Sequence, residues 1–150
     1  MTCSYEGLVF QTELLAQWAA FFDSAEWEWR MYPHAVGNWK PDFRVNFECE
    51  QKRCRGSHTL LVAVLPVSSA DNLRHHPAAD HKDAINNDLG EWVADAGAVF
   101  GNHPLITRWE FPHGADKNIF DVPGWVPDFD RIWRDSCALI REENAHLIIR

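Results

Sequence analysis

The sequence predicts an α/β fold, a small mixed β-sheet flanked by helices. Three patterns predict it. Segments near both ends carry apolar residues at helical spacing. Several segments between them alternate apolar and polar residues with period two, as half-buried strands do. Near the middle, Thr59-Leu60-Leu61-Val62-Ala63-Val64-Leu65 is apolar almost without a break, which suits a central strand covered on both faces.

Taken in order, Leu14, Leu15, Trp18, Phe21 and Phe22 form one face of a helix over 12–23, with Thr12 or Gln11 as its cap. Trp27, Trp29 and Met31 alternate with Glu26, Glu28 and Arg30, predicting a strand over 26–31. Pro, Gly and Asn make 33–41 a loop. Phe43, Val45 and Phe47 alternate with Arg44, Asn46 and Glu48 to give a second strand, and the polar stretch 49–58 connects it to the central one. Residues 68–77 are irregular. Ile85, Leu89, Trp92 and Val93 then suggest a helix over 83–96, against which Gly90 counts. Short strands follow at 98–100 and 105–111, around a turn at Gly101-Asn102-His103-Pro104. Pro127-Asp128 opens a last helix with Phe129, Ile132, Trp133, Cys137 and Ile140 on one stripe.

The chain has 150 residues, enough for one domain, 1–150, with a sizeable core. Its composition is that of a folded protein, with 46% hydrophobic residues and 8 Trp. With 14 Lys and Arg against 22 Asp and Glu, the formal net charge is −8. That charge disfavours a general phosphate-binding surface and suits a protein partner or simple solubility. The dense basic cluster is Lys52, Arg53 and Arg55, so local nucleic-acid binding there stays open. The start is polar and no apolar run approaches membrane-spanning length, so the expectation is a cytoplasmic protein with no membrane partner and reduced thiols.

Two segments carry the chemical question. One is Pro41-Asp42-Phe43; the other is Val62-Ala63-Val64-Leu65-Pro66. With the helix Phe10-Gln11-Thr12-Glu13-Leu14-Leu15-Ala16-Gln17-Trp18-Ala19-Ala20-Phe21-Phe22-Asp23 and the later Trp109-Glu110-Phe111 and His113-Gly114, they give the chain its resemblance. It resembles the PD-(D/E)xK nuclease superfamily, and within it the small nuclease-like proteins of phages and conjugative elements. The resemblance implies a restriction-endonuclease-like core in the order α-β-β-β-α-β.

It also implies where a site would be. The motif Asp falls on Asp42. The helix Glu falls on Leu15, its neighbouring Arg on Gln17, the second motif acid on Ala63 and the motif Lys on Leu65. Such a nuclease uses carboxylates to hold Mg²⁺, which activates water, and a Lys to offset developing charge. Asp42 beside Ala63 and Leu65 would hold Mg²⁺ poorly. The resemblance therefore implies a vestigial site and a catalytically inactive, nuclease-like binding protein of a phage or plasmid. Such a protein would act on a protein partner, as an inhibitor of a host-defence or nucleic-acid-processing complex.

Two alternatives remain in the sequence. Glu50-Gln51-Lys52 spells Glu-x-Lys downstream of Asp42, so an active, Mg²⁺-dependent site could use Asp42, Glu50 and Lys52. A non-catalytic DNA-binding module could instead use Lys52, Arg53 and Arg55. Separately, Cys49, Cys54 and His58 have zinc-type spacing but lack an evident fourth ligand. Zn²⁺ is thus an open cofactor, and otherwise none is expected. The remaining histidines, Ser68-Ser69 and the glycines match no hydrolase or phosphate-loop pattern.

Overall fold

The computed structural model describes residues 2–49, 56–113 and 116–145. Its strands are β1 (Cys3–Tyr5), β2 (Leu8–Phe10), β3 (Glu28–Met31), β4 (Phe43–Glu48), β5 (Ser57–Val64), β6 (Ile85–Asn86), β7 (Trp92–Ala94), β8 (Ala96–Phe100), β9 (Thr107–His113) and β10 (Asp116–Phe120). The α-helices are α1 (Glu13–Ser24), α2 (Val122–Trp125) and α3 (Phe129–Glu143).

Six strands make one mixed sheet in the order β10-β9-β8-β5-β4-β3. Neighbours are antiparallel except β5 and β8, which run parallel with Leu60 opposite Ala96 and Val64 opposite Phe100. A parallel pair needs a crossover connection. Residues 65–95 provide it. The expected mixed α/β sheet is therefore present, with β3, β4 and β5 as an antiparallel meander after α1.

The crossover differs from expectation. Residues 83–96 are not a helix: they form the β6–β7 hairpin and open β8. Of the predicted stripe, Ile85 and Val93 are buried, but Leu89 is 82% and Trp92 51% exposed. Local turn chemistry overrides the helical spacing. The Asn87 side chain accepts hydrogen bonds from the Leu89 and Glu91 amides at 2.9 Å each, and Gly90 adopts φ +78°. Two 3₁₀ turns, Ala70–Asn72 and Pro77–Asp80, complete the crossover.

The sheet has a different filling on each face. On one side α1 and α3 lay Trp18, Phe22, Trp133 and Ile140 against Phe43, Val45, Leu60 and Val62. Rings meet edge-on and in stacks, as in Trp27 against Phe47 at 4.3 Å. On the other side the crossover brings Leu73, Ala78, Ile85 and Val93 onto Leu61, Ala63 and Val99. Close approach here demands Gly97, because a Cβ at that position would lie 2.5 Å from the Ala78 carbonyl oxygen.

Helix α1 starts where its cap allows: Thr12 Oγ1 accepts from the Leu15 amide at 3.2 Å. Helix α3 follows Asp128 as expected, with Ile132, Trp133 and Ile140 buried. Strands β1, β2 and β10 are additions to the elements read from the sequence.

Candidate functional site

Asp42 sits where the loop 33–41 enters β4. Trp39 is 5% exposed and packs into the crossover core, while Val36 and Trp39 exchange backbone hydrogen bonds of 2.7 and 3.2 Å. This short hairpin, turned by Gly37 at φ +59°, delivers Pro41 and Asp42 to the sheet in fixed register. The Asp42 amide donates to Val62 O at 2.8 Å, and Asp42 Oδ2 accepts from the Val64 amide at 2.7 Å. The carboxylate thus takes the place of a strand carbonyl at the end of the β4–β5 ladder, satisfying a backbone donor that would otherwise be left open.

Asp42 opens into a cleft of about 300 Å³ whose walls include Leu15 from α1, Phe10 from β2, Met31 and Tyr32 from β3 and its exit, and Phe43. Among these lining residues Asp42 is the one acid. Burial pushes its carboxyl above the ordinary range, partly offset by the Val64 amide. Leu8, Val9 and Met31, on the β2 and β3 side of the molecule, are 46%, 65% and 43% exposed.

The structure brings together some of the sequence-predicted positions. Leu15 and Asp42 line the same cleft. The β4–β5 register ends at Phe43 opposite Val62, and Asp42 lies just beyond it, bonded to both Val62 and Val64. The side chains of Ala63 and Leu65, however, join the crossover core on the other face. Gln17 is not in the cleft lining; its Nε2 donates to Glu13 Oε1 at 3.1 Å.

Glu50, Lys52, Arg53, Cys54 and Arg55 lie outside the described residues. The residues that flank them do not. Cys49 N donates to Gly56 O at 3.0 Å, and Glu48 pairs with Ser57. These flanks stand at the far end of β4 from Asp42, roughly 20 Å away at ~3.4 Å per strand residue. Cys49 and His58 are buried; His58 packs edge-on against Phe111 at 4.5 Å and Trp125 at 5.4 Å, and its Nδ1 lies 3.8 Å from Asp95 Oδ2. Among the described residues no three His, Cys, Asp or Glu side chains gather as a metal site.

Comparison of the chain with protein-family models, curated proteins and solved structures finds no match.

Sequence reasoning missed a second cluster, on the crossover side of β3, β4 and β5 beside the β6–β7 hairpin. Arg30 and Arg44 stand directly opposite each other in the β3–β4 register. Arg44 Nε donates to Val93 O at 2.9 Å, and its guanidinium lies 5.9 Å from the centre of the Trp92 ring. Nearby, Asn46 Nδ2 donates to Thr59 Oγ1 at 2.8 Å. A pocket of about 230 Å³ is lined by Ser57, Thr59, Trp92 and Asp95. Arg30 and Arg44 are 14 positions apart with a loop between them, and only strand pairing makes them neighbours.

Proposed function

We propose that this chain is a nuclease-shaped binding protein that does not cut nucleic acid and acts through a protein partner. One observation carries the reading. The acid that a PD-(D/E)xK enzyme would give to a metal is hydrogen-bonded to the Val64 amide, in a cleft with no second carboxylate among its described lining residues. A divalent metal bound there would have to compete with that bond and would find one anionic ligand. The strand order α1, β3, β4, β5 and then β8 parallel to β5 supports the same frame, with an irregular crossover in place of its second helix.

The cleft suits a protein partner. Its walls are largely apolar, and the exposed Leu8, Val9 and Met31 extend the apolar surface of β2 and β3. The formal charge of −8 favours a basic partner through complementary fields. A role as a mobile-element inhibitor of a host complex rests on the resemblance alone. A site joining Asp42 to Glu50 and Lys52 has no support from the described residues, since the flanks of 50–55 lie at the other end of the ladder. On this reading neither Mg²⁺ nor Zn²⁺ is required.

The test is a cleavage assay with Mg²⁺ and with Mn²⁺ on single- and double-stranded DNA and RNA, comparing wild type with Asp42→Asn. The expected result is no cutting by either protein. Cutting that disappears in Asp42→Asn would overturn the proposal.

A further inference from the structure

We propose that the crossover side of β3, β4 and β5, beside the β6–β7 hairpin, binds a nucleotide of a single-stranded nucleic acid, its phosphate on Arg30 and Arg44 and its base against Trp92. This site is separate from the Asp42 cleft and does not depend on how that cleft is used.

The pairing of Arg30 with Arg44 is costly without a ligand. Side chains directly opposite in an antiparallel pair stand about 4.5–5.5 Å apart at Cβ, and like charges there repel. Arg30 and Arg44 occupy such a pair in a chain that is acidic overall. Neither forms an ion pair among the described residues, although 22 acids were available to the fold. An Arg cannot relieve the repulsion by giving up its proton at any ordinary pH. Two arginines on opposed strand positions, without an ion pair among the described residues, offer the donor set that an oxyanion takes up.

Arg44 is also pre-positioned. Its Nε is fixed on Val93 O and its stem is half-buried, so the two terminal nitrogens are left for a ligand. Burial and then Arg30 work against its charge, while Tyr32 and Asp95 favour it. A bound anion would add to the favourable side.

Trp92 selects among oxyanions. An indole 51% exposed on a two-stranded hairpin is not held there by the core. Its ring lies beside the Arg44 guanidinium and also lines the 230 Å³ pocket, which has room for one base. Around that pocket stand acceptors: the Ser57 hydroxyl and the Asp95 carboxylate, whose Oδ2 takes the Thr59 amide at 2.8 Å. Acceptors beside an aromatic face suit the amino edge of an adenine, cytosine or guanine. Stacking needs an open base face, which an intact duplex hides, so a single strand is the ligand.

Fluorescence anisotropy of labelled ten-nucleotide DNA and RNA single strands, and of a duplex, tests the proposal at 50 and 200 mM salt. Wild type should bind single strands, more weakly at the higher salt, and bind them better than the duplex. Trp92→Ala should weaken binding by about 5- to 100-fold, with Trp92→Phe recovering most of it. Arg30→Gln should weaken binding and lower the salt slope by about one. Arg30 and Trp92 are exposed, so these variants report on binding and not on folding. Arg44→Lys keeps the charge but loses the fork and should fall between. No binding at 50 mM salt would overturn the proposal. So would unchanged binding in both Trp92→Ala and Arg30→Gln, or displacement of the strand by an equal concentration of an acidic peptide.

Discussion

Asp42 and Arg44 stand two residues apart at one end of β4, and their charges meet opposite treatment. Each commits one polar group to the backbone: Asp42 Oδ2 to the Val64 amide, Arg44 Nε to the Val93 carbonyl. Asp42 then faces a largely apolar cleft in which it is the one acid among the described lining residues, and burial favours its neutral form. Arg44 faces Arg30 and forms no ion pair among the described residues, with Asp95 and Tyr32 favouring its charge from a distance. The difference separates a charge tied to the backbone from one left open to solvent. A charge whose partner is the fold's own ladder has a structural role. A charge placed beside its like, with no ion pair among the described residues, is open to a ligand.

The comparison breaks first at Asp42. Asp42→Ala should destabilise the protein by about 1–3 kcal/mol, because the Val64 amide loses its acceptor; urea unfolding measures it. A change within experimental error would show the carboxylate is not a ladder cap. Next in size, Arg44→Ala should cost about 1 kcal/mol through the lost bond to Val93 and the lost packing on Trp92. Relief of repulsion with Arg30 offsets part of that, so the loss should be smaller than for Asp42→Ala in the same assay.

The two groups should also differ in their response to pH. Asp42 has a raised carboxyl in the folded state, so the folded protein holds this proton more tightly than the unfolded chain does. Its contribution is neutral below the unfolded value of about 3.9. Stability should decline as pH rises through the folded value and level off above it. Asp42→Asn keeps an acceptor for Val64 and should lack this component, gaining on wild type as pH increases from 4 to 7. A wild type that instead gains on Asp42→Asn over that range would mean the carboxylate has a cationic partner. The smallest effect belongs to Arg30→Gln, which should stabilise the protein by a few tenths of a kcal/mol at low salt, shrinking at high salt.

The α1 stripe, the β4 alternation and the β5 run were legible because each repeats one period over several residues. The segment 83–96 misled because Ile85, Leu89, Trp92 and Val93 mimic helical spacing, while the Asn87 side chain and Gly90 impose a turn. Strands β1 and β2 are three residues each, too short for a periodic signal, and are joined by Glu6 and Gly7 at positive φ. For the site, Asp42 and Leu15 were legible as motif positions and share a cleft. That Ala63 and Leu65 turn into the opposite core was not, because it depends on what the crossover packs against β5. The Arg30 and Arg44 pair is a product of strand register, which no local pattern reveals.

Whether Asp42 is a structural acceptor or a metal ligand decides how the cleft is used. Paramagnetic broadening of backbone amide signals by Mn²⁺ tests this directly, since broadening falls off steeply with distance from the ion. Titration to millimolar Mn²⁺ should leave the Val64 and Leu15 amides no more broadened than the average surface amide. Selective loss of those two signals at low Mn²⁺, abolished in Asp42→Asn, would contradict the structural role.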